Sequence, residues 1–370
     1  MGKTRPLHDP HAGMMALGLL SLLAGVFMLA VPGPKSEGAA VEGEAHAVRL
    51  MARAVEAIRA CRASSGPAID PRTDLYRSGL LGIESSPITT SPGHLEAKRT
   101  TTNPVFAGGV VRMLREAGVQ RGDAVAVGAS GSFPGLIVAT LCAARAMGVR
   151  ALPILSLGAS HWGANDPRWT ALDIVQCLNR TGVLDVAPVA LSLGGEGDAG
   201  LDMALEGRTA LRRKIERAGF VFLEGGSLAA SVRERMNLFE SRAGGAAIRA
   251  FVNIGGSWAD MGTDSRVLEL RPGFNPASSV LLPPPDRRGV IQEMAGRGIA
   301  VIHLLYIKGL AVRYGLPWDA APSLHPPAGS GEKAGGETSG RRIAGAVIAV
   351  VILAGLAFIA RGRRLDSNGR

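Results

Sequence analysis

Aromatic side chains are scarce in this 370-residue chain, with nine Phe, four Trp and three Tyr. Nucleic acid is therefore a poor partner, because no basic stripe interleaves with groups that stack on bases. Cysteine is scarcer still. Cys61, Cys142 and Cys177 are odd in number and widely spaced. They make neither a disulfide framework nor a metal pattern, and each reads as a small buried apolar residue. The named motifs are missing too: no G-x-x-x-x-G-K-[ST], no G-x-G-x-x-G after the first strand, no G-x-S-x-G. No metal is implied, and the sequence names no cofactor.

What the chain does have is 50 Gly, 22 Pro and two uncharged apolar runs. Ala12–Val31 is 20 residues long and Ile343–Ala360 is 18. Each is about the length a bilayer-spanning helix requires, roughly 17–25 residues. No small-x-small cleavage site follows the first run, so it reads as an uncleaved anchor rather than a signal peptide. Lys3 and Arg5 precede it against Lys35 after it. Arg361, Arg363, Arg364 and Arg370 follow the second run, against Arg341 and Arg342 before it. Both comparisons place the termini in the cytoplasm, at a bacterial inner membrane, with the intervening region in the periplasm.

The expected organisation is a cytoplasmic N-terminus (1–11), a span (12–31), a Gly/Pro linker (32–43), an extracytoplasmic α/β domain (44–324), a flexible linker (325–342), a second span (343–360) and a basic cytoplasmic tail (361–370). Of the net charge of +10, Lys3 and Arg5 against Asp9 leave +1 at the N-terminus, and four arginines against Asp366 leave +3 in the tail. The remaining +6 favours acidic partners.

Within the domain, Val48, Met51, Val55 and Ile58 recur at helical spacing among charged residues. Asn103 and Pro104 start a helix over Val105–Ala117. From Asp123 onward strands and helices alternate: "AVAVGAS", "ALPILSLGAS", "DVAPVALSLGG", "FVFLEGGS" and "IRAFVNIGGS" read as strands, separated by helices. This rhythm predicts an α/β fold, an open, mostly parallel sheet flanked by helices, with one transmembrane helix at each end of the chain. Ile291–Tyr314 closes the domain.

All five strands leave through Gly/Ser-rich loops: "GASGS", "GASHWGAND", "SLGGEGD", "LEGGS" and "NIGGSWADMG". In an open parallel sheet these exits share one edge, and ligands bind in the crevice outside them. Gly128, Ser130, Gly131 and Ser132 in the first exit, with Ser160, His161 and Asn165 in the second, are the candidate ligand-binding residues. Gly128 and Gly131 are expected to let backbone N–H groups converge on an anion. Lys98 and Arg99 stand among Thr89, Thr90, Thr100 and Thr101, a cation-and-hydroxyl patch suited to carboxylates if it folds over the edge.

A catalytic reading uses Ser130 or Ser132 as nucleophile and His161 as base, although the elbow spacing misses by one place. The bland reading makes these serines turn residues and His161 a ring packed by Trp162. Asp166 reads as a helix cap. Glu224, Asp260 and Asp264 near strand exits read equally as cation or amine ligands and as ordinary loop residues.

The stretches "SPITT", "AKRTTTNPVFA", "AGVQRGDAVAVGASGSFPGL" and "LGASHWGANDPRWTALDI" resemble the poly-gamma-glutamate system protein family. The resemblance covers most of the chain between the spans. It implies a role in synthesis or export of poly-γ-glutamate, beside a poly-gamma-glutamate ligase subunit and a small membrane subunit. It assigns no catalytic residue. Two expectations follow: a non-catalytic component that binds the acidic polymer or scaffolds the synthase, and an extracytoplasmic serine hydrolase or transferase acting on that polymer.

Overall fold

The computed structural model describes residues 35–224 and 226–325. Both expected spans, the two cytoplasmic segments and most of the second linker lie outside the described residues. Among the described residues no helix is long and apolar enough to cross a membrane. The chain divides into two units between Gly43 and Glu44, and the sheet belongs to the second.

Helix α1 (Lys35–Ser65) begins earlier than the sequence suggests, so residues 35–43, expected as a linker, are helical. Ala39, Ala40 and Glu42 are strong helix formers and carry the helix through its glycines. Ala47, Met51, Ala54 and Ile58 form its fully buried stripe. Two helices precede the sheet, α2 (Leu95–Thr101) and α3 (Val105–Glu116).

The alternation then unfolds as β1 (Ala124–Ser130), α4 (Pro134–Met147), β2 (Arg150–Ser156), α5 (Ala171–Arg180) and β3 (Ala190–Ser192). It continues through α6 (Leu205–Ala218), β4 (Phe222–Leu223), α7 (Leu228–Ala243), β5 (Ile248–Ile254) and the single turn α8 (Trp258–Met261). The domain ends with β6 (Gly273–Asn275), α9 (Val290–Gly296), β7 (Ala300–Leu304) and α10 (Ile307–Tyr314).

Among the described residues seven strands make one open sheet in the order β4-β3-β2-β1-β5-β7-β6. Every pairing is parallel except β6 with β7. Alternation along β1 decides the layers: Val125, Val127 and Ala129 face one core, Ala124 and Ala126 the other. The first core is closed by α1, α3, α4, α5, α6 and α10, the second by α7 and α9. The chain runs outward from β1 to β4, then returns to lay β5 on β1's other side. That reversal is a topological switch point, and it opens a crevice between the exits of β1 and β5.

The cysteines differ from expectation. Cys61 on α1 and Cys177 on α5 form a disulfide with 6.3 Å between Cα atoms, across 116 residues of sequence. Only the packing of α1 against α5 brings them together. Cys142 is free and buried. Asp166 caps no helix either. It accepts from the Arg168 backbone and guanidinium (2.9 and 3.0 Å). Helix α5 starts at Ala171 behind Thr170, whose N–H and hydroxyl donate to Asp173 (2.6 and 2.7 Å).

Candidate functional site

A cavity of about 600 Å³ lies at the switch point. Ser130, Ser132 and Ser160 line one wall, and Ser257, Trp258 and Lys308 the other. The segment before α2 closes the top. Thr90 N–H donates to Ala159 O at 3.0 Å and His161 N–H to Ser91 O at 3.0 Å. These bonds zip the Thr-rich segment along the β2 exit and swing α2 over the sheet edge.

Lys98 is the residue this delivers. Its side chain is 2 % exposed. Its Nζ donates to Ser132 O at 2.6 Å and to Ser160 Oγ at 2.7 Å, and stands 3.7 Å from the centre of the Phe133 ring. Among the described residues no carboxylate pairs with it. Burial lowers its pKa to about 7. The serines are linked in turn. Ser130 Oγ–H donates to Ser132 Oγ at 2.9 Å, and Ser160 N–H donates to the same oxygen at 3.0 Å.

The other sequence candidates are placed elsewhere. Arg99 points away and pairs with Asp319, Nε to Oδ1 at 2.8 Å. Asn165 is fully buried and splices two loops, accepting from Ile83 N–H at 2.9 Å and donating to Thr89 Oγ1 at 2.9 Å. His161 meets Trp162 edge-to-face at 5.4 Å and is not among the residues lining the cavity.

The glycines serve the protein, and their amides do not converge on an anion as expected. Gly131 N–H donates to Ser156 O at 2.9 Å and Ser132 N–H to Ser130 Oγ at 3.2 Å. The two exit loops pack directly on each other, with Ala164 N–H donating to Gly131 O at 2.8 Å. The open space therefore lies on the β5 and β7 side. A Cβ on Gly128 would stand 2.3 Å from Asp260 Oδ1, so glycine there admits a carboxyl against β1.

Asp260 was one of three acidic candidates, and the structure separates them. Glu224 pairs with Arg212 at 3.0 Å and Asp264 with Arg266 at 2.8 Å, at the surface. Asp260 is 1 % exposed, and neither carboxylate oxygen has a hydrogen-bond partner among the described residues. The Ser257 hydroxyl lies alongside without closing a well-formed bond. Arg235, the cation whose charge acts on it, is held by Asp198.

Desolvation therefore dominates and raises Asp260 to about 6, with Arg235 offsetting only part. A folded pKa above the unfolded one means that folding favours the protonated form. The penalty is full above pH 6 and disappears as pH falls toward 4. Asp260→Asn should stabilise the protein at pH 8 by about 1–3 kcal/mol, at ~1.4 per pK unit, with the gain fading toward pH 4. Unfolding of both proteins across this range checks it. A difference that stays flat would mean the carboxyl ionises normally.

Sequence reasoning missed Ser156, Tyr306, Lys308 and Trp318 in the lining. The run "AVIHLLYIKG" carried only a partial signal for the last wall, an apolar stretch that passes without a break into Tyr306 and Lys308. No family model, curated protein or solved structure matches the chain.

Proposed function

We propose that this chain is a membrane-anchored component of a poly-γ-glutamate synthesis or export system, and that its cavity at the strand exits binds the anionic polymer. The observation that carries this reading is Lys98, a cation buried at the cavity wall with no carboxylate partner among the described residues. A buried charge without a counter-ion favours an anionic ligand, and a bond from it to a carboxylate is worth about 1.5–3 kcal/mol. Ser130 and Ser132 add hydroxyls on its wall of the cavity, and Ser257 adds one on the facing wall. Helix α4 begins just past Ser132, so its positive end lies at the same edge.

The cellular setting is part of the proposal. The spans at 12–31 and 343–360 anchor the domain on the periplasmic face of a bacterial inner membrane, beside the ligase subunit and the small membrane subunit. The Cys61–Cys177 disulfide supports that side, since disulfides persist in oxidising compartments. Resemblance to the poly-gamma-glutamate system proteins supplies the polymer's identity.

Calorimetry of the purified full chain with glutamate oligomers tests the site. Lys98→Met keeps the stem and removes the charge, and should weaken binding roughly 10- to 150-fold, the equivalent of about 1.5–3 kcal/mol. Because the ammonium titrates near 7, wild-type affinity should be full at pH 6 and fall above pH 7. Equal affinities for both proteins at pH 6 would exclude Lys98 from the site.

A further inference from the structure

Three hydroxyls reach the cavity wall near Lys98, and they are not equivalent. Ser130 donates to Ser132, and Ser132 Oγ accepts from both Ser130 and the Ser160 backbone. Only the Ser160 hydroxyl meets the amine, at 2.7 Å. The amine is itself fixed by Ser132 O at 2.6 Å and by the Phe133 ring. A nucleophile within hydrogen-bond reach of a base, with the base oriented by a third group, is the arrangement of covalent catalysis, and serine with lysine is one of its known forms. Gly93 keeps the approach open. A Cβ there would stand 3.2 Å from Lys98 Cε and 3.4 Å from Ser160 Oγ.

We propose that Ser160 and Lys98 form a nucleophile–base pair that breaks an amide of the carboxylate-bearing polyamide held in this cavity. This rests on the polymer-binding reading above. The base is Lys98 and not His161, and the nucleophile is Ser160 and not Ser130 or Ser132.

With Lys98 neutral, the Ser160 hydroxyl donates to Nζ. Attack forms the bond from Ser160 Oγ to the amide carbon while the hydroxyl proton passes to Nζ. The tetrahedral intermediate collapses by breaking the C–N bond, and the Lys98 ammonium returns that proton to the departing amine. An ester on Ser160 remains. Water, giving its proton to Lys98 Nζ, attacks the ester carbon. The bond from that carbon to Ser160 Oγ then breaks and the Lys98 ammonium returns the proton to Oγ, releasing a carboxylic acid, the free Ser160 hydroxyl and the neutral amine. An amine in place of water would transfer the chain to a new acceptor. Burial supports the base role, since an ammonium brought down to about 7 leaves much free amine at neutral pH. The same titration separates the two activities: anion binding weakens as pH rises through 7, and acylation gains.

The test uses the purified full chain with a fluorophosphonate probe and with poly-γ-glutamate. The expected result is one adduct, on the peptide holding Ser160, absent in Ser160→Ala and formed about 100- to 10,000-fold more slowly in Lys98→Met. Its rate should rise through pH 7 in wild type and be flat in Lys98→Met. His94, Glu96, Asp202, Tyr306 and Lys308 also face this cavity, and a rise that survives in Lys98→Met would assign the titration to one of them and overturn the base. Wild type should shorten the polymer, while Ser160→Ala still binds it and leaves it intact. An unchanged thermal transition and retained disulfide show that each variant is folded. Bound polymer with no adduct and no shortening would overturn the pair and leave the binding site standing. An adduct on Ser160 without polymer binding would overturn the binding reading and keep the pair for another acyl substrate. An adduct on Ser130 or Ser132 would overturn the choice of Ser160.

Discussion

Asp198→Asn should destabilise the protein by about 3–5 kcal/mol, the usual result of leaving a buried charge without its partner. Arg235 on α7 and Asp198 after β3 are both fully buried. Arg235 Nη1 donates to Asp198 Oδ2 at 2.6 Å and Nη2 to Oδ1 at 3.1 Å. Ser192 and Ser231 hydroxyls donate to the same carboxylate at 2.8 and 2.6 Å, and Nη2 also reaches Ser156 Oγ at 3.2 Å. This network sits against the exits of β2 and β3, next to the cavity that Ser156 helps to line.

Asparagine is the informative substitution. Asp198 has φ of 62°, a left-handed conformation that asparagine tolerates better than most residues. The change therefore removes charge without adding backbone strain. It should also push the Asp260 carboxyl to ionise, since Arg235 would lose its first partner and Asp260 is the other acid near it. Denaturant unfolding of Asp198→Asn, Arg235→Met and the double variant gives the coupling directly. The double variant should recover part of the loss, because no uncompensated charge remains. Additive losses would mean that the two side chains do not form a unit.

Legibility of the fold follows from how local its causes are. Strand β1 stands where the sequence places it and a helix follows it as expected, since alternating small apolar residues, a turn of Gly131 and Ser132, and Pro134 at the first helical position of α4 are local signals. The parallel sheet followed from strand–helix alternation alone. Strand β7 was hidden because Ala300–Leu304 runs into α10 without a strong breaker, so the passage Ile291–Tyr314 covered three elements, α9, β7 and α10.

Side-chain placement was less legible. The sequence pointed to the strand exits, and to Lys98 if the Thr-rich segment folded over them. It could not choose between Lys98 and Arg99, adjacent residues that a helix turns about 100° apart. One faces the serines, the other Asp319. His161 looked like the natural base because it lies in the neighbouring exit loop, yet the turn after Ser160 carries its ring to Trp162. The depth of Asp260 depends on Gly128, 132 positions earlier, having no Cβ.

The Cys61–Cys177 disulfide is the feature least visible in the sequence, and removing it should have the second large effect. Its 116-residue separation closes a long loop in the unfolded chain, which loop-entropy arithmetic values at roughly 4–5 kcal/mol. Native relaxation commonly reduces this, so Cys61→Ser with Cys177→Ser should lose about 2–5 kcal/mol. Cys142 offers no alternative pairing, because it is fully buried within α4 and burial pushes its thiol well above the ordinary range. Thiol titration of the denatured, unreduced full chain should therefore find one free thiol, and three after reduction. Ellman titration and unfolding of both proteins under the same conditions would read the two quantities together. One free thiol with no loss of stability in the double serine variant would make the bond incidental to folding. Three free thiols before reduction, in protein taken from its native compartment, would remove both the crosslink and the support it lends to a periplasmic domain.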